Sequence, residues 1–384
     1  MSAGAIVIEG HVQGLSNVRS LGELGIPVYV IDVNHCLAQH SRYCQKYFRC
    51  PDYRSNEFVE FLVELGERER LKGWFLIASN DHVVEQLSTN YDRLSAYYKM
   101  LVPIGQLLDL IIDKRQLVKI ALSAGVHVPE TYDAVSLKKA NHFRFPLLVK
   151  GSRGLSFFKA MHVKAIQVDD ANELRRVVGD LSSRLDESFY MVQEMIPFDE
   201  TIGVISFTCF AVQGEIKAYW MGKKLREHPI RYGTATCAQS IMLPQVLEEA
   251  KPLIMRLGYT GTCEVEFMFD HRDNVYKLIE INPRTWLWVG LAKACGVDYA
   301  KIMYRYLMGS QNEYPKEYAV GIKWINRLTD GVYSLKSIAK GQLSLRDYLK
   351  SIRGKKVYAI WSWKDLVPGI VFPFMSFYIA KKRK

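Results

Sequence analysis

The chain has 384 residues, of which 49% are hydrophobic and 24% charged, and it carries a formal net charge of +11. It is too long for one ordinary small domain and too apolar for a disordered or fibrous chain, so a core divided among two or three domains sharing a cleft is expected. The Lys and Arg are scattered and mixed with acids until the extreme C-terminus, and no nucleic-acid motif is present, so nucleic acid is not an expected partner.

The opening "AIVIEGHVQGLSNVRSLGELGIPVYVID" predicts a buried strand, a glycine-containing turn, an amphipathic helix stopped at Gly25, and a second strand ending at Asp32. This βαβ unit lacks the GxGxxG of a dinucleotide site. Its turn runs Gly10-His11-Val12-Gln13-Gly14, which disfavours a dehydrogenase and leaves Asp32 as a strand end. "WFLIASND", residues 74–81, predicts another strand, followed by helical periodicity to about Tyr98. In an open sheet of this kind a ligand would lie near Gly10–Ser16 and Asn80–Asp81.

From Asp113 the pattern changes. A helix with Leu117, Ile120 and Ala121 on one face ends at Gly125, and "FPLLVKGSRG" with "FKAMHVKAI" predicts a strand, a glycine loop and a return strand. "SFYMVQEMI" is another apolar strand, a hairpin turns at Gln213-Gly214, and "CEVEFMFDHRDNVYKLIEINPR" supplies one more strand pair. The middle of the chain is therefore expected to be α+β with antiparallel sheets.

Strand alternation puts Glu264 and Glu266 on one face and Glu280 and Asn282 on one face of the next strand. If "FDHRDN" is the turn, Glu266 and Glu280 converge; the bland alternative is the solvated face of a hairpin. Converging oxygen donors suit Mg²⁺ shared with nucleotide phosphates. Lys114 starts a helix and Lys150 ends a strand just before Gly151, Ser152 and Gly154, whose small side chains would let backbone N–H groups approach phosphate. Either lysine alone would ordinarily be a solvated surface residue.

Taken in order, Lys114, Lys150 with its glycine loop, "VQEMIPFDE", "VEFMF" and "IEINPR" resemble the ATP-grasp superfamily over residues 1 to about 310. The resemblance implies a pre-ATP-grasp α/β domain (1–108), a small lobe with its helical linker (109–190), a large lobe (191–310) and a C-terminal extension (311–384). It implies ATP and Mg²⁺, or Mn²⁺ in its place, as cofactors. Lys114 and Lys150 would hold phosphates, Gln193, Glu194 and Ile196 would lie along the adenine, and Glu200 would meet the ribose. Glu266, Glu280 and Asn282 would ligate the metal, and Arg284 would face the reacting carboxylate or its phosphate. Lys223 and Arg226, in a cation-dense stretch, are expected to steady phosphate or an acidic substrate. The implied reaction joins a carboxylate to an amine through an acyl phosphate, as in the carboxylate–amine ligase group that includes D-aspartate ligase. The rivals are an ATP-grasp enzyme with a non-amine acceptor and a nucleotide-binding scaffold or sensor without turnover.

The seven cysteines include no CxxC pair, and no signal-like apolar run follows a basic start, so a reducing cytoplasmic compartment is expected. In the tail, Leu366 to Ala380 is apolar and aromatic, interrupted by Pro368 and Pro373, and ends in Lys381 to Lys384. It falls short of the roughly 20 residues that span a bilayer. It would either pack on the core or rest peripherally at the inner membrane face, where a ligase could meet cell-envelope or surface-polysaccharide carboxylates. A homodimer stays open.

Overall fold

The computed structural model describes residues 3–133, 137, 143–153, 157, 160–163, 165–199, 201–228 and 233–382, with side chains to residue 376. Gly154 and Glu200 of the expected site lie outside the described residues.

The first sheet takes β1 (Ala5–Ile8), β2 (Val28–Asp32), β3 (Cys44–Arg49), β4 (Trp74–Ala78) and β5 (Tyr98–Met100), parallel throughout, in the order β3-β2-β1-β4-β5. All four side chains of β1 are buried, because helices cover both faces: α1 (Val12–Gly22) on one side, α2 (Glu57–Arg68), α3 (Asp81–Thr89) and α4 (Tyr91–Ser95) on the other. The strand order reverses between β1 and β4, so the crevice of this sheet opens at Glu9–Gly10 and Asn80–Asp81. The turn after β1 is tight. Glu9 sits at φ 71°, and a Cβ on Gly14 would come within 2.1 Å of the Glu9 carbonyl oxygen, so only glycine lets α1 start there. Asp32 does end β2, and there its carboxylate pins the turn by accepting from the Gly10 N–H at 2.8 Å.

Helices α5 (Gln106–Ile112) and α6 (Lys114–Ser123) lead to a four-stranded antiparallel sheet, β6 (Thr131–Tyr132), β7 (Leu147–Gly151), β8 (Ala165–Val168) and β9 (Tyr190–Glu194), in the order β6-β9-β7-β8. Helix α7 (Ala171–Arg184) covers one face through Leu174 and Leu181. The expected return strand is strand only over Ala165–Val168; Ala160 and Met161 are helical.

The third sheet holds β10 (Val204–Val212), β11 (Glu215–His228), β12 (Thr234–Ile241), β13 (Gly261–Asp270) and β14 (Val275–Asn282), all antiparallel. The β10–β11 turn has φ 50° at Gln213 and 82° at Gly214, the positive pair that a two-residue hairpin requires. Helix α8 (Pro244–Arg256) packs on one face with Leu117 and Ala121 of α6, while α9 (Val289–Ala294) and α10 (Tyr299–Leu307) fill the space between this sheet and α1.

The last segment joins this same sheet. β15 (Lys323–Ile325) pairs with β12, β16 (Lys356–Tyr358) pairs with β15, and α11 (Arg327–Ala339) and α12 (Leu345–Ser351) connect them before α13 (Val367–Lys382). Asp365 fastens it to the first domain, accepting from Arg19 Nε at 2.8 Å, the Ser41 hydroxyl at 2.7 Å and the Arg42 N–H at 2.9 Å.

Candidate active site

Register builds the centre of the site. On β13 and β14, Glu266 lies directly opposite Glu280 and Glu264 opposite Asn282, so four polar side chains form two cross-strand pairs. The Asn282 amide donates to Glu264 at 3.2 Å, and the Ser206 hydroxyl donates to the other Glu264 oxygen at 2.7 Å. Burial, with Glu266 beside it, pushes the Glu264 carboxyl up to about 7.

Three lysines converge on these acids. Leu117 and Ala121 seat α6 in the core of the large sheet, which brings Lys114 at its first turn to Glu280, Nζ to Oε2 at 2.7 Å. Lys114 holds the Glu280 carboxyl down at about 2. Lys224 reaches Glu266 at 3.0 Å, and although burial opposes its charge, Glu266 and Glu264 keep its pKa above the ordinary lysine value. Lys150, at the end of β7, donates to the Gln193 side-chain oxygen at 2.6 Å, and Gln193 in turn donates to the Thr131 hydroxyl at 2.7 Å. Burial, with Lys114 close by, lowers the Lys150 amine to about 7.

A polyphosphate entering here would meet a largely neutral Lys150 above that pH and recharge it. Binding of an ATP analogue at pH 8 should therefore take up about one proton, falling to about a tenth of one at pH 6. Calorimetry in buffers of different ionisation enthalpy measures this, and Lys150→Arg, which stays charged, should bind without the uptake.

Arg284 closes the other side. Its guanidinium grips Asp81 at 2.6 and 3.0 Å and donates to the Asn282 side-chain oxygen at 3.2 Å, tying the first domain's crevice to the acid pairs. Beyond Asp81 lies Glu9, whose carboxyl burial and then Asp32 push up to about 7. Gln13 donates to Glu9 at 3.1 Å and to the Ser79 carbonyl at 3.2 Å.

Several expected residues are placed otherwise. Lys224, not Lys223, occupies the face of Glu266: Glu266 pairs with Ser206 and Ser206 with Gly222, and two residues on from Gly222 is Lys224. Lys223 points to the opposite face and donates to the Thr201 carbonyl at 3.1 Å. Lys224→Ala should accordingly lower turnover about a hundredfold while Lys223→Ala stays within about twofold, read from steady-state ADP release.

Arg226 is taken up by the C-terminal segment, its Nε and Nη2 each donating at 2.7 Å to the buried Asp330 of α11 and its Nη1 to the Ser351 hydroxyl. Ser152 braces the loop: its N–H goes to the Phe189 carbonyl and its hydroxyl to the Ser188 carbonyl. Its carbonyl accepts from the Lys114 N–H at 2.8 Å, joining loop and helix, and Gly151 is kept small by Phe157, whose Cβ would lie 2.2 Å from an added one.

The Glu194 carboxylate turns away from Lys150 into a buried network, accepting from Lys277 at 2.6 Å and Arg272 at 3.1 Å, and its main-chain N–H donates to the Glu130 carbonyl at 2.8 Å. Ile196 is buried nearby in sequence. Sequence reasoning alone does not assign Lys224, Glu264, Asp81 and Glu9 to this site. Alternation from Glu266 flags Glu264, and the open-sheet rule places Asp81 where a ligand would lie, but Lys224 and Glu9 need the register or the packing of the sheets.

With this geometry in view, comparisons with known proteins are decisive for the fold. Residues 236–313, which carry the acid pairs and Arg284, match the family described as carbamoyl-phosphate synthase L chain, ATP binding domain. The fold resembles N5-carboxyaminoimidazole synthetase from Staphylococcus aureus, also solved complexed with ADP, at a TM-score of 0.65 and 16% identity, over 89% of this chain and 86% of that one. The chain has the ATP-grasp fold.

L-amino acid ligase from Bacillus licheniformis is similar at a TM-score of 0.58 and 13% identity, over 81% of this chain and 75% of that one. D-aspartate ligase from Enterococcus faecium (strain Aus0004) is 21% identical over 244 residues, which is 59% of this chain and 58% of that protein, so the chain spans less than two thirds of that relative. The fold also resembles biotin carboxylase from Campylobacter jejuni, at a TM-score of 0.66 and 16% identity, over 84% of this chain and 74% of that one.

Proposed function

We propose that the chain is an ATP- and Mg²⁺-dependent ligase that joins a carboxylate to an amine through an acyl phosphate. The observation that carries the reading is the facing pair Glu266 and Glu280, ringed by Lys114, Lys150 and Lys224, with Arg284 bridging to the first domain's crevice. Hard oxygen donors of this kind suit Mg²⁺, and the fit is physical: among the described residues the ion-pair partners of the two carboxylates are lysine ammonium groups on flexible stems. Once triphosphate draws those lysines away, Glu266, Glu280 and Asn282 would hold the ion. Magnesium bound there would neutralise charge on the transferring phosphoryl group.

The residues then divide the work. Lys114 and Lys150 hold phosphate oxygens, with Gly151 in the covering loop, while Gln193 and Ile196 line the base. A substrate carboxylate oxygen attacks the γ-phosphorus, the bond to the β,γ-bridging oxygen breaks, and ADP leaves. Arg284 faces the charge that develops. The amine nitrogen next attacks the acyl carbon, inorganic phosphate departs with the C–O electrons, and the amine gives up a proton. Asp81, at the crevice beside Arg284, would receive an ammonium group, and Glu9 joins it once pH rises above about 7.

The test is ADP and phosphate release over a matrix of amino acids paired with carboxylates, uronic acids and peptides included. Stimulation that needs both partners supports the ligase. Full stimulation by a carboxylate without any amine would favour the non-amine acceptor, and nucleotide binding without release under any pair would favour a scaffold.

A further inference from the structure

The charge of this chain is not spread evenly. Residues 327–384 contain 13 Lys and Arg against 3 Asp, a net +10 of the chain's +11. Two of those three acids are spent inside the fold, Asp330 on Arg226 and Asp365 on Arg19, so the surface of the segment is more basic still.

The same segment carries most of the exposed large apolar side chains among the described residues. On α13, Val371, Phe372 and Met375 pack on the core cluster that contains Ile360, whereas Val367, Ile370 and Phe374 form an outward stripe at i, i+3 and i+7. Phe374 is 74% exposed, and Trp363, just before the helix, is 83% exposed. Over its described side chains the helix is thus apolar on both sides with one side covered, and the Asp365 anchor holds it in that attitude.

We propose that this face docks on an anionic lipid bilayer, the stripe entering the headgroup region and the surrounding Lys and Arg meeting lipid phosphates. Aromatic side chains next to basic ones are what a membrane interface receives. A second copy of the chain fits poorly, since two surfaces of net +10 would repel. Among the described residues no helix is long and apolar enough to cross a membrane, so the contact is peripheral. This inference is independent of the reaction proposed above.

Vesicle flotation of the full chain tests it, with phosphatidylcholine alone and phosphatidylcholine containing phosphatidylglycerol. The protein should float with the anionic vesicles at low salt, remain behind with the neutral ones, and be released as salt is raised. Ile370→Ser with Phe374→Ser should weaken partitioning at least about tenfold, since burying each such side chain is worth roughly that factor or more. Trp363→Ser, at a site too exposed to endanger folding, should weaken it severalfold, with melting temperature and nucleotide affinity unchanged in all variants. Failure to float with anionic vesicles, equal flotation of wild type and double variant, or a concentration-dependent dimer that the double variant loses would each overturn the proposal.

Discussion

Replacing Glu280 by alanine is expected to lower kcat/KM for ADP release by about a thousandfold or more, which corresponds to roughly 4 kcal/mol of transition-state stabilisation. The change removes one of two facing carboxylates and at the same time frees Lys114, whose ammonium lies 2.7 Å away. Both effects act where charge shifts during phosphoryl transfer. Glu280→Gln keeps a hydrogen-bond acceptor for Lys114 but not the charge, and it should be nearly as inactive; recovery of activity in the glutamine variant would mean that positioning, not charge, is what Glu280 supplies. Folding should survive, because the side chain is 36% exposed. The proton linkage has a definite sign. Lys114 holds Glu280 at about 2, so its stabilising contribution is present above the ordinary glutamate range near 4.5 and is lost as pH falls through 2.

Arg284→Ala should cost about two to three powers of ten in kcat while nucleotide affinity changes by no more than about threefold. Arg284 makes no contact with the lysines that would hold phosphate; it touches Asn282 and Asp81. Its loss therefore removes charge facing the acceptor rather than the nucleotide. Asp81→Ala should cost less alone, and the double variant should be no worse than Arg284→Ala, because the two act as one unit. Additive losses would show that Asp81 acts separately. A large loss of nucleotide affinity in Arg284→Ala would instead move the arginine into the nucleotide site.

Local patterning makes much of this molecule readable from its sequence. Strand β1 is a continuous apolar run, α1 is stopped by glycine, the Gln213-Gly214 hairpin announces itself by residue type, and period-two alternation pairs Glu264 with Glu266 and Glu280 with Asn282. What cannot be read depends on pairing between distant strands. Lys223 and Lys224 are adjacent, and only the path Glu266 to Ser206 to Gly222 decides which of them faces the acids. Arg226 is indistinguishable by sequence from a substrate ligand until Asp330, 104 residues later, is brought beside it. Asp81 lies where an open sheet would hold a ligand, but its partner Arg284, 203 residues later, is brought to it only when the sheets pack together. The C-terminal segment, set apart in sequence, completes the large sheet because β15 and β16 extend its β12 edge.

The most direct test of the proposed chemistry replaces the amine by hydroxylamine. With ATP, Mg²⁺ and a carboxylate substrate, an acyl phosphate intermediate predicts hydroxamate formed in step with ADP, and neither product in Glu280→Ala. ADP produced at an undiminished rate without carboxylate, or ADP from a carboxylate-stimulated reaction with no hydroxamate, would contradict it.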